Sequence, residues 1–540
     1  MSAYAEAASQ PFQNGAEMRV TGLGHAGMLI ETDGGKVLCD PWTNPAFFGS
    51  WFPFPDNSWM DWDALGDTDY LYISHLHRDH FDATLLARHV RKDTTVLLPD
   101  YPTDELEIEL RQLGFTRFVR SRSGEPIELD GGLRIMITSL TAPSDGPIGD
   151  SAISLDDGRT VILNQNDAHP LDIEALKKFG RYHAHLQQFS GAIWWPMVYD
   201  LPRSARSEFA RRKRAGQNER ALRYNNAVGA DRMFPTAGPP CFLDEELFNF
   251  NGHGFAEFED QSIFTDQYQF LRQLEHLGRK NGSLLLPGTI ADFDGSRCVL
   301  THRYSGDDIR AIFEDKLAYL NDYGRRMNAV LQREKANWTA NQSNILNQLK
   351  DWWEPLMKRA DKICAGIGGP VRLDIGDRPV VLDFPAREVR DWDGEICRYR
   401  LSAPAELVST NLARREVDWS NSLFLSLRFT ASRVGQYNEY VYTFFKCLSV
   451  ERIDYVENWY DEQNDDGRDI IIGGWRVQHR CPHLRADLEK FGEINDNNVL
   501  TCNLHGWRFD LESGRCLTAA GHEVRASRIK EEQPSPPNPH

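Results

Sequence analysis

Two short pairs of metal-binding residues near the C-terminus constrain this chain more than any other feature. Cys481 and His483 form the first pair, and Cys502 and His505 form the second, with eighteen residues between the pairs. Each pair contributes one thiolate and one imidazole, so that two cysteines can hold one iron and two histidines another. The pattern therefore predicts a one-electron carrier built into the chain.

This order of ligands is typical of a Rieske [2Fe-2S] cluster, in which neutral imidazoles raise the reduction potential above that of an all-cysteine cluster. The alternative is a zinc site. Zinc sites with two cysteines and two histidines usually set a cysteine pair against a histidine pair, whereas here each pair mixes the two. We predict a Rieske domain over residues 466–530, with Cys481, His483, Cys502 and His505 as the cluster ligands.

A second group of metal-binding residues lies near the other end of the chain. The apolar segment Tyr70–Ser74 predicts a buried strand, and His75, His77, Asp79 and His80 follow it directly. A loop at a strand end can aim several side chains at one point. Three imidazoles and a carboxylate suit Zn, Fe or Mn, and the alternative interpretation is a solvated histidine-rich turn.

This motif resembles that of the metallo-β-lactamase superfamily, which implies an αββα sandwich. The segment Gly22–Trp42 resembles the first hairpin of that fold, and within it His25 is either next to the ligands or part of the core. The resemblance also implies a bridging aspartate at a later strand end, which Asp167 supplies, and His169 is a further candidate ligand. A histidine expected near Thr141–Asp145 is missing.

The missing histidine bears on the chemistry. A dinuclear zinc hydrolase needs its full ligand set to hold two ions and to position hydroxide between them. A set of histidines and carboxylates with open positions is what a non-haem iron site that activates dioxygen needs. An iron–sulfur donor in the same chain favours redox chemistry, because hydrolysis requires no electrons.

A Rieske centre combined with a lactamase-like domain resembles the CMP-N-acetylneuraminate hydroxylase family. The segments Gln187–Ala192, Trp195–Asp200 and Ala237–Leu243 resemble the long core of that family. The order differs, because the Rieske module is N-terminal in that family and C-terminal here. The resemblance implies a related architecture rather than the same substrate.

We predict a Rieske-dependent non-haem iron monooxygenase that hydroxylates a small polar metabolite, such as an amino sugar or a nucleotide sugar. The alternatives are N-oxidation of an amine or hydrazine in specialised metabolism, and a metallo-hydrolase with a regulatory Rieske domain. One or two irons are expected, and the electron donor is a ferredoxin or a flavin/NAD(P)H reductase. The candidate iron ligands are His75, His77, Asp79, His80, Asp167 and His169, of which Asp79 and Asp167 are also candidate catalytic residues.

The chain is expected to be a multi-domain α/β and β protein. We predict a lactamase-like catalytic domain at 15–300, a helical connector at 301–366 and an α+β module at 367–458. The last of these resembles sterol-carrier-like modules, with a packing or dimerisation role. Its predicted strands are Val371–Ile375, Val380–Phe384, Ile396–Leu401 and Leu423–Phe429.

The charge balance limits the partners. A net charge of −18, from 61 basic and 79 acidic residues, argues against a nucleic-acid or anionic-membrane surface. The basic segment Arg203–Arg214 is the local exception, and it predicts either an anion site or a solvated helix face. The chain has no apolar run of about 18 residues and no signal-like N-terminus, so we expect a cytoplasmic protein. The sequence leaves both a monomer and a homo-oligomer open.

Overall fold

A computed structural model of the chain describes residues 18–142, 149–252, 260–339, 344–461, 467–504 and 506–529. The chain divides into two compact units. The first comprises Met1–Val434 with Tyr440–Trp459, and the second comprises Gly435–Glu439 with Tyr460–His540. The domain limits predicted from the sequence stay predictions.

Two β-sheets form the centre of the first unit. Their strands are β1 (Met18–Gly24), β2 (Gly27–Thr32), β3 (Gly35–Cys39), β4 (Tyr70–Tyr72), β5 (Thr95–Leu98), β6 (Arg117–Arg120), β7 (Pro126–Glu128), β8 (Arg134–Leu140), β9 (Asp150–Asp156), β10 (Val161–Asn166), β11 (Ala184–Gln188), β12 (Arg232–Thr236), β13 (Ile290–Asp294) and β14 (Arg297–Thr301). One sheet has the order β14-β13-β1-β2-β3-β4-β5-β6, and the other has the order β12-β11-β10-β9-β8-β7.

The helices of this region pack on the outer faces of the sheets. They are α1 (Trp62–Leu65), α2 (Ala83–His89), α3 (Glu105–Gln112), α4 (Ile173–Phe179), α5 (Arg203–Val228) and α6 (Gln267–His276). Alternate residues of a strand face opposite sides of its sheet, so Ile30 joins the core between the sheets while Leu29 packs with Leu85 of α2. On the second sheet, Met233 packs with Phe270 of α6. The predicted αββα sandwich is confirmed.

Four helices follow the sandwich: α7 (Gly306–Phe313), α8 (Lys316–Ala336), α9 (Ile345–Met357) and α10 (Asp361–Ile367). The first begins with a capping box, in which the Ser305 side chain accepts from the Asp308 N–H and the Asp308 carboxylate accepts from the Ser305 N–H. The helices that the apolar spacing predicts for the connector are thus present in the structure.

The α+β module has one five-stranded sheet of order β17-β16-β15-β18-β19. Its strands are β15 (Pro370–Ile375), β16 (Arg378–Asp383), β17 (Glu388–Asp391), β18 (Tyr399–Ala403) and β19 (Thr430–Arg433). Its later helices are α11 (Ala405–Arg414), α12 (Glu439–Lys446) and α13 (Val450–Asp461). Among the described residues, no helix combines the length and the apolarity needed to cross a lipid bilayer.

One strand prediction in this module is wrong. The segment Leu423–Phe429 is not a strand, because Ser420–Phe424 forms a π-helical turn and the strand β19 begins at Thr430. Every residue from 423 to 429 is buried, and a continuous apolar run fits a buried helix as well as a buried strand. The carboxylate of Asp418 decides between them by accepting from the backbone N–H groups of Ser420 and Asn421.

The second unit contains two three-stranded sheets, of order β20-β21-β25 and β22-β23-β24. Their elements are β20 (Asp469–Ile472), β21 (Trp475–Gln478), α14 (Leu488–Phe491), β22 (Gly492–Ile494), β23 (Val499–Cys502), β24 (Trp507–Asp510) and β25 (Ala526–Arg528). Gly473 and Gly474 have φ of 54° and 80°, which permits the tight turn from β20 to β21.

Candidate metal centres

The loop between β4 and α2 carries the histidine-rich motif. The C=O of His77 accepts from the N–H groups of His80 (2.9 Å) and Phe81 (2.7 Å), so the motif closes into a turn. At the start of the loop, the Ser74 N–H donates to Asp40 Oδ1 at 2.7 Å. Asp40 follows β3, the parallel neighbour of β4, and residues after neighbouring parallel strands meet at one edge of the sheet.

Six side chains at this edge form two groups of three. The donor atoms of His75, His77 and Asp167 lie within 4.8 Å of one another, and so do those of His25, Asp79 and His80. The groups are neighbours, because His80 Nε2 is 3.6 Å from Asp167 Oδ2 and 3.8 Å from Asp79 Oδ2. The structure thus brings together every candidate ligand of the lactamase-like domain except His169.

His25 is the residue whose role the sequence left open. It follows β1, and its Nε2 lies 2.9 Å from Asp79 Oδ2, which places it in the second group rather than in the apolar core. His169, by contrast, faces the ring of Tyr224 with ring centroids 6.3 Å apart and belongs to neither group in the described part of the chain. Its assignment as a ligand stays a prediction.

Carboxylates orient two of the histidine rings. Asp40 Oδ2 lies 3.0 Å from His80 Nδ1, and Asp150 Oδ1 lies 3.3 Å from His75 Nδ1. A carboxylate on one ring nitrogen fixes the ring and leaves the other nitrogen for a metal ion. Neither carboxylate is among the site residues predicted from the sequence, although Asp40 directly follows β3, the strand that pairs with β4, and this position was a usable signal.

The geometry of the site fits a cation. Asp79 Oδ1, His80 Nε2 and Asp167 Oδ1 are buried and have no hydrogen-bond partner among the residues that the structure describes. Each buried polar atom left in that state costs roughly 1–3 kcal/mol, and metal ions held by the two groups would satisfy all three. A buried donor set of imidazoles and carboxylates suits iron, zinc or manganese.

The electrostatics point the same way. Burial lowers the pKa of His80, but Asp167, Asp79 and Asp40 together hold it well above its ordinary value. Burial raises the pKa of Asp79, but His80 and His25 outweigh it and lower the pKa to about 2. The Asp79 carboxylate is therefore anionic at neutral pH and stabilises positive charge at this point, as a metal site requires.

Backbone strain is concentrated at the same place. His25, Asp40 and Asn166 have positive φ of 52°, 40° and 41°, a region that costs a residue other than glycine about 1–3 kcal/mol. The Asn166 side chain accepts from the Asp167 N–H at 2.6 Å and donates to the Ser151 C=O at 2.8 Å. The strained residues are thus neighbours or members of the two groups.

Two cavities lie against the motif loop. One, of about 480 Å³, is bordered by Phe47, Arg78 and Asp82, and also by Arg414 and Asn421 of the α+β module. The other, of about 570 Å³, includes Leu76, Asp418 and Arg452 in its lining. The Phe47 ring lies edge-on to His77 with centroids 6.4 Å apart. The α+β module therefore borders the space beside the first group.

In the second unit, three of the four predicted cluster ligands are described, and His505 lies outside the described residues. Cys481 and Cys502 are buried and form no disulfide. Burial, together with the neighbouring Cys502 thiol, raises the pKa of Cys481 well above its ordinary value. Two adjacent buried thiols without a disulfide fit iron ligation, because iron takes up the charge of the thiolates.

His483 is held by an aromatic ring and a carboxylate. Its ring stacks on Trp507 with centroids 3.8 Å apart, and its Nε2 lies 3.3 Å from Glu439 Oε2. The other oxygen of Glu439 lies 3.1 Å from His522 Nε2. Burial raises the pKa of Glu439, but His483 and His522 outweigh it and lower the pKa to about 2.

Sequence comparisons identify the three modules. The Beta-lactamase superfamily domain matches residues 19–139, the Rv3818-like, SCP2-like domain matches residues 345–462, and the Rieske [2Fe-2S] domain matches residues 473–527. The Rieske 2Fe-2S iron-sulfur protein Rv3818 of Mycobacterium tuberculosis is 51% identical over 519 residues, which cover 95% of this chain and 100% of that protein. The chain belongs to the same family as this Mycobacterium tuberculosis protein. The predicted domain types and the [2Fe-2S] cofactor are thereby confirmed.

Two further likenesses are shorter or weaker. The human protein named inactive cytidine monophosphate-N-acetylneuraminic acid hydroxylase is 35% identical over 75 residues, which cover 13% of this chain and 15% of that protein. The structure of CmlA, a diiron beta-hydroxylase from Streptomyces venezuelae, has a TM-score of 0.33 and 17% identity over 52% of this chain and 54% of that one. The first supports the resemblance seen in the sequence.

Proposed function

We propose that this protein is a Rieske-dependent non-haem iron oxygenase that hydroxylates a small polar metabolite such as an amino sugar or a nucleotide sugar. The observation that carries the proposal is the pair of histidine and carboxylate groups in the same chain as a Rieske domain. In the overall reaction, substrate, dioxygen, two electrons and two protons give hydroxylated substrate and one water. A hydrolase would have no use for the electrons.

Each of the two groups is proposed as the binding site of one metal ion. His75, His77 and Asp167 would hold one ion, and His25, Asp79 and His80 would hold a second. When bound, the cluster supplies single electrons and the iron supplies dioxygen activation. Asp40 and Asp150 keep the His80 and His75 rings in orientation.

Asp79 and Asp167 are the candidate proton-handling groups. Each has one oxygen close to His80 or His25 and a second, buried oxygen without a protein partner in the described residues. Because the pKa of Asp79 is about 2, this carboxylate is a base rather than an acid at neutral pH. A ferredoxin or a flavin/NAD(P)H reductase is the proposed electron donor.

A metallo-hydrolase with a regulatory Rieske domain is the second candidate. It is favoured by the match of residues 19–139 to the Beta-lactamase superfamily domain. A hydrolase of this fold holds hydroxide between metal ions and needs neither dioxygen nor an electron donor. The two candidates therefore differ in whether the oxygen atom added to the product comes from dioxygen or from water.

One experiment separates them. The full chain is purified without oxygen, its metals are measured, and it is incubated with a donor, a reductase and a panel of nucleotide sugars under isotopically labelled dioxygen. The oxygenase proposal expects iron in excess of the cluster iron and one labelled oxygen atom in the product. Zinc in the site, with label incorporated only from labelled water and without donor, would establish the hydrolase instead.

A further inference from the structure

A side chain of the α+β module contacts the backbone of the metal loop, the segment between β4 and α2 that carries the histidine-rich motif. Asn421 Nδ2 donates to the Leu76 C=O at 2.8 Å, and Asn421 Oδ1 accepts from the Arg78 N–H at 3.1 Å. The two peptide groups lie on either side of His77. Together the bonds imitate one rung of a β-ladder, so they hold the backbone of this residue from a point more than 300 positions away in sequence.

Asn421 is itself held in place by a buried ionic network. Asp418 Oδ1 accepts from the Ser420 and Asn421 N–H groups at 2.9 and 3.2 Å, and Asp418 Oδ2 pairs with Arg452 at 3.0 Å. Arg452 Nε also donates to Glu105 Oε1 of α3 at 2.9 Å. The turn that carries Asn421 is thereby tied to the lactamase-fold domain independently of the metal loop.

His77 is the histidine that most needs such support. Asp150 and Asp40 contact the rings of His75 and His80, whereas no carboxylate in the described residues lies within 4 Å of a ring nitrogen of His77. The His77 ring contacts His75, with Nδ1 2.8 Å from His75 Nε2. Its position therefore depends on its backbone, and Asn421 bonds the peptide groups on both sides of that backbone.

We infer that Asn421 is a positioning residue for the metal site, which it serves by fixing the peptide groups that flank His77. The inference rests on the proposed role of His77 as a metal ligand. It makes the α+β module part of the metal site, because a ligand displaced by about an ångström binds its ion more weakly. From the sequence alone, this module is expected only to pack or to dimerise.

The test measures metal binding rather than turnover. The lactamase-site metal is removed by a chelator while the Rieske absorbance is kept, and the full chain is titrated with Co²⁺ and followed by visible absorption. In Asn421→Leu, which has nearly the same volume and makes neither hydrogen bond, we expect one Co²⁺ equivalent to bind about tenfold more weakly or worse. The other equivalent and the Rieske spectrum should keep their parent values.

The matched control is Asn411→Leu. Asn411 is another buried amide of the same module, but its Nδ2 donates to Ser422 Oγ at 3.0 Å, and among the described residues its side chain forms no hydrogen bond with the loop between β4 and α2. It should lower the melting temperature to a similar degree and leave both Co²⁺ affinities unchanged. An equal weakening in both variants, or none in Asn421→Leu, overturns the inference.

Two more variants make every outcome decisive. Asn421→Asp keeps the acceptor for the Arg78 N–H but turns a carboxylate oxygen toward the Leu76 C=O, so it should weaken binding of the same Co²⁺ equivalent. This variant replaces Asn421→Leu in the test if the leucine variant does not fold. His77→Ala tests the underlying proposal. If His77→Ala keeps both equivalents, the proposed ligand set is wrong. If it loses one and the Asn421 variants lose none, only the positioning role is wrong.

Discussion

The two metal-binding regions of this protein are built in opposite ways. In the Rieske unit, the predicted ligands that the structure describes are Cys481, His483 and Cys502. They come from two segments that lie close together in sequence, and Cys502 ends the strand β23. In the lactamase-fold site, the proposed ligands extend from His25 to Asp167 and follow the ends of different strands.

Because the two regions are built differently, different kinds of substitution should disrupt each of them. A site made of short local pairs depends mainly on the residues of those pairs and the side chains that touch them, such as Trp507 and Glu439. A site assembled by a sheet depends on residues that never touch the metal, such as Asp40 and Asp150. Substitutions should therefore act on one region without disturbing the other, and the following predictions test that independence.

The largest effect is expected for Cys481→Ser. Loss of one thiolate removes the cluster, so turnover driven by reductase and electron donor should be abolished. Lactamase-site metal content and substrate binding should stay at parent values. Hydrogen peroxide, which brings both oxygen and oxidising equivalents, should restore part of the product. Undiminished product without donor or dioxygen would instead identify a hydrolase.

The reciprocal change is His77→Ala. This variant should lose metal from the first group, while the electron paramagnetic resonance signal of the reduced Rieske cluster stays the same, because the ligands belong to separate units. Metal analysis and the spectrum are measured on one sample. A changed cluster signal in this variant would contradict the independence of the two regions.

A smaller effect is expected when only the support of a ligand is changed. Asp40→Asn keeps the size of the side chain but removes the charge beside His80 Nδ1. Loss of such a partner typically lowers metal affinity about 10–100-fold, so we expect weaker retention of the lactamase-site metal against a chelator. Asp374→Asn, in the α+β sheet, is the control. Equal retention in parent and Asp40→Asn would show that Asp40 does not orient a ligand.

The pKa of a buried histidine that no carboxylate contacts should shift in the opposite direction to the pKa of His80. His185 is fully buried beside Gln165, and burial lowers its pKa to about 3. The unfolded chain takes up this proton near pH 6.5 and the folded chain does not, so stability is lost as the pH falls from about 6.5 toward 3. The expected loss is about 1.3 kcal/mol between pH 7 and pH 5.5.

Denaturant titrations of the parent and of His185→Gln at both pH values check this expectation. The variant should lose less stability than the parent over the same interval, by about the amount that His185 contributes. An identical pH dependence in the two proteins would mean that His185 takes up a proton in the folded state.

The smallest effect is expected in the basic segment. Arg211 and Arg212 both donate to Glu208 on the exposed face of α5, at 2.8 and 2.6 Å. This arrangement favours the solvated helix face over an anion site. Arg211→Ala and Arg212→Ala should leave the apparent Michaelis constant within about twofold of the parent value, as is usual for exposed pairs. A clear increase in this constant for both variants would support the anion-site interpretation instead.

The amino-acid sequence alone determined the features that depend on neighbouring residues. The cysteine and histidine pairs specified a [2Fe-2S] domain, because ligand spacing within a short segment is a local property. The run Tyr70–Ser74 placed a buried strand before the motif, and the apolar spacing after Asp307 predicted helices that the structure contains. The sandwich followed from the motif by resemblance.

Features that depend on residues distant in sequence became visible in the three-dimensional structure. It placed His25 beside Asp79, it brought Asp40 and Asp150 to the histidine rings, and it turned part of Leu423–Phe429 into a π-helical turn. No local pattern specifies these features, because sheet pairing and packing join segments whose separation in the chain carries no period or spacing. Asn421 is the extreme case, since its partners became visible only when two modules were packed together.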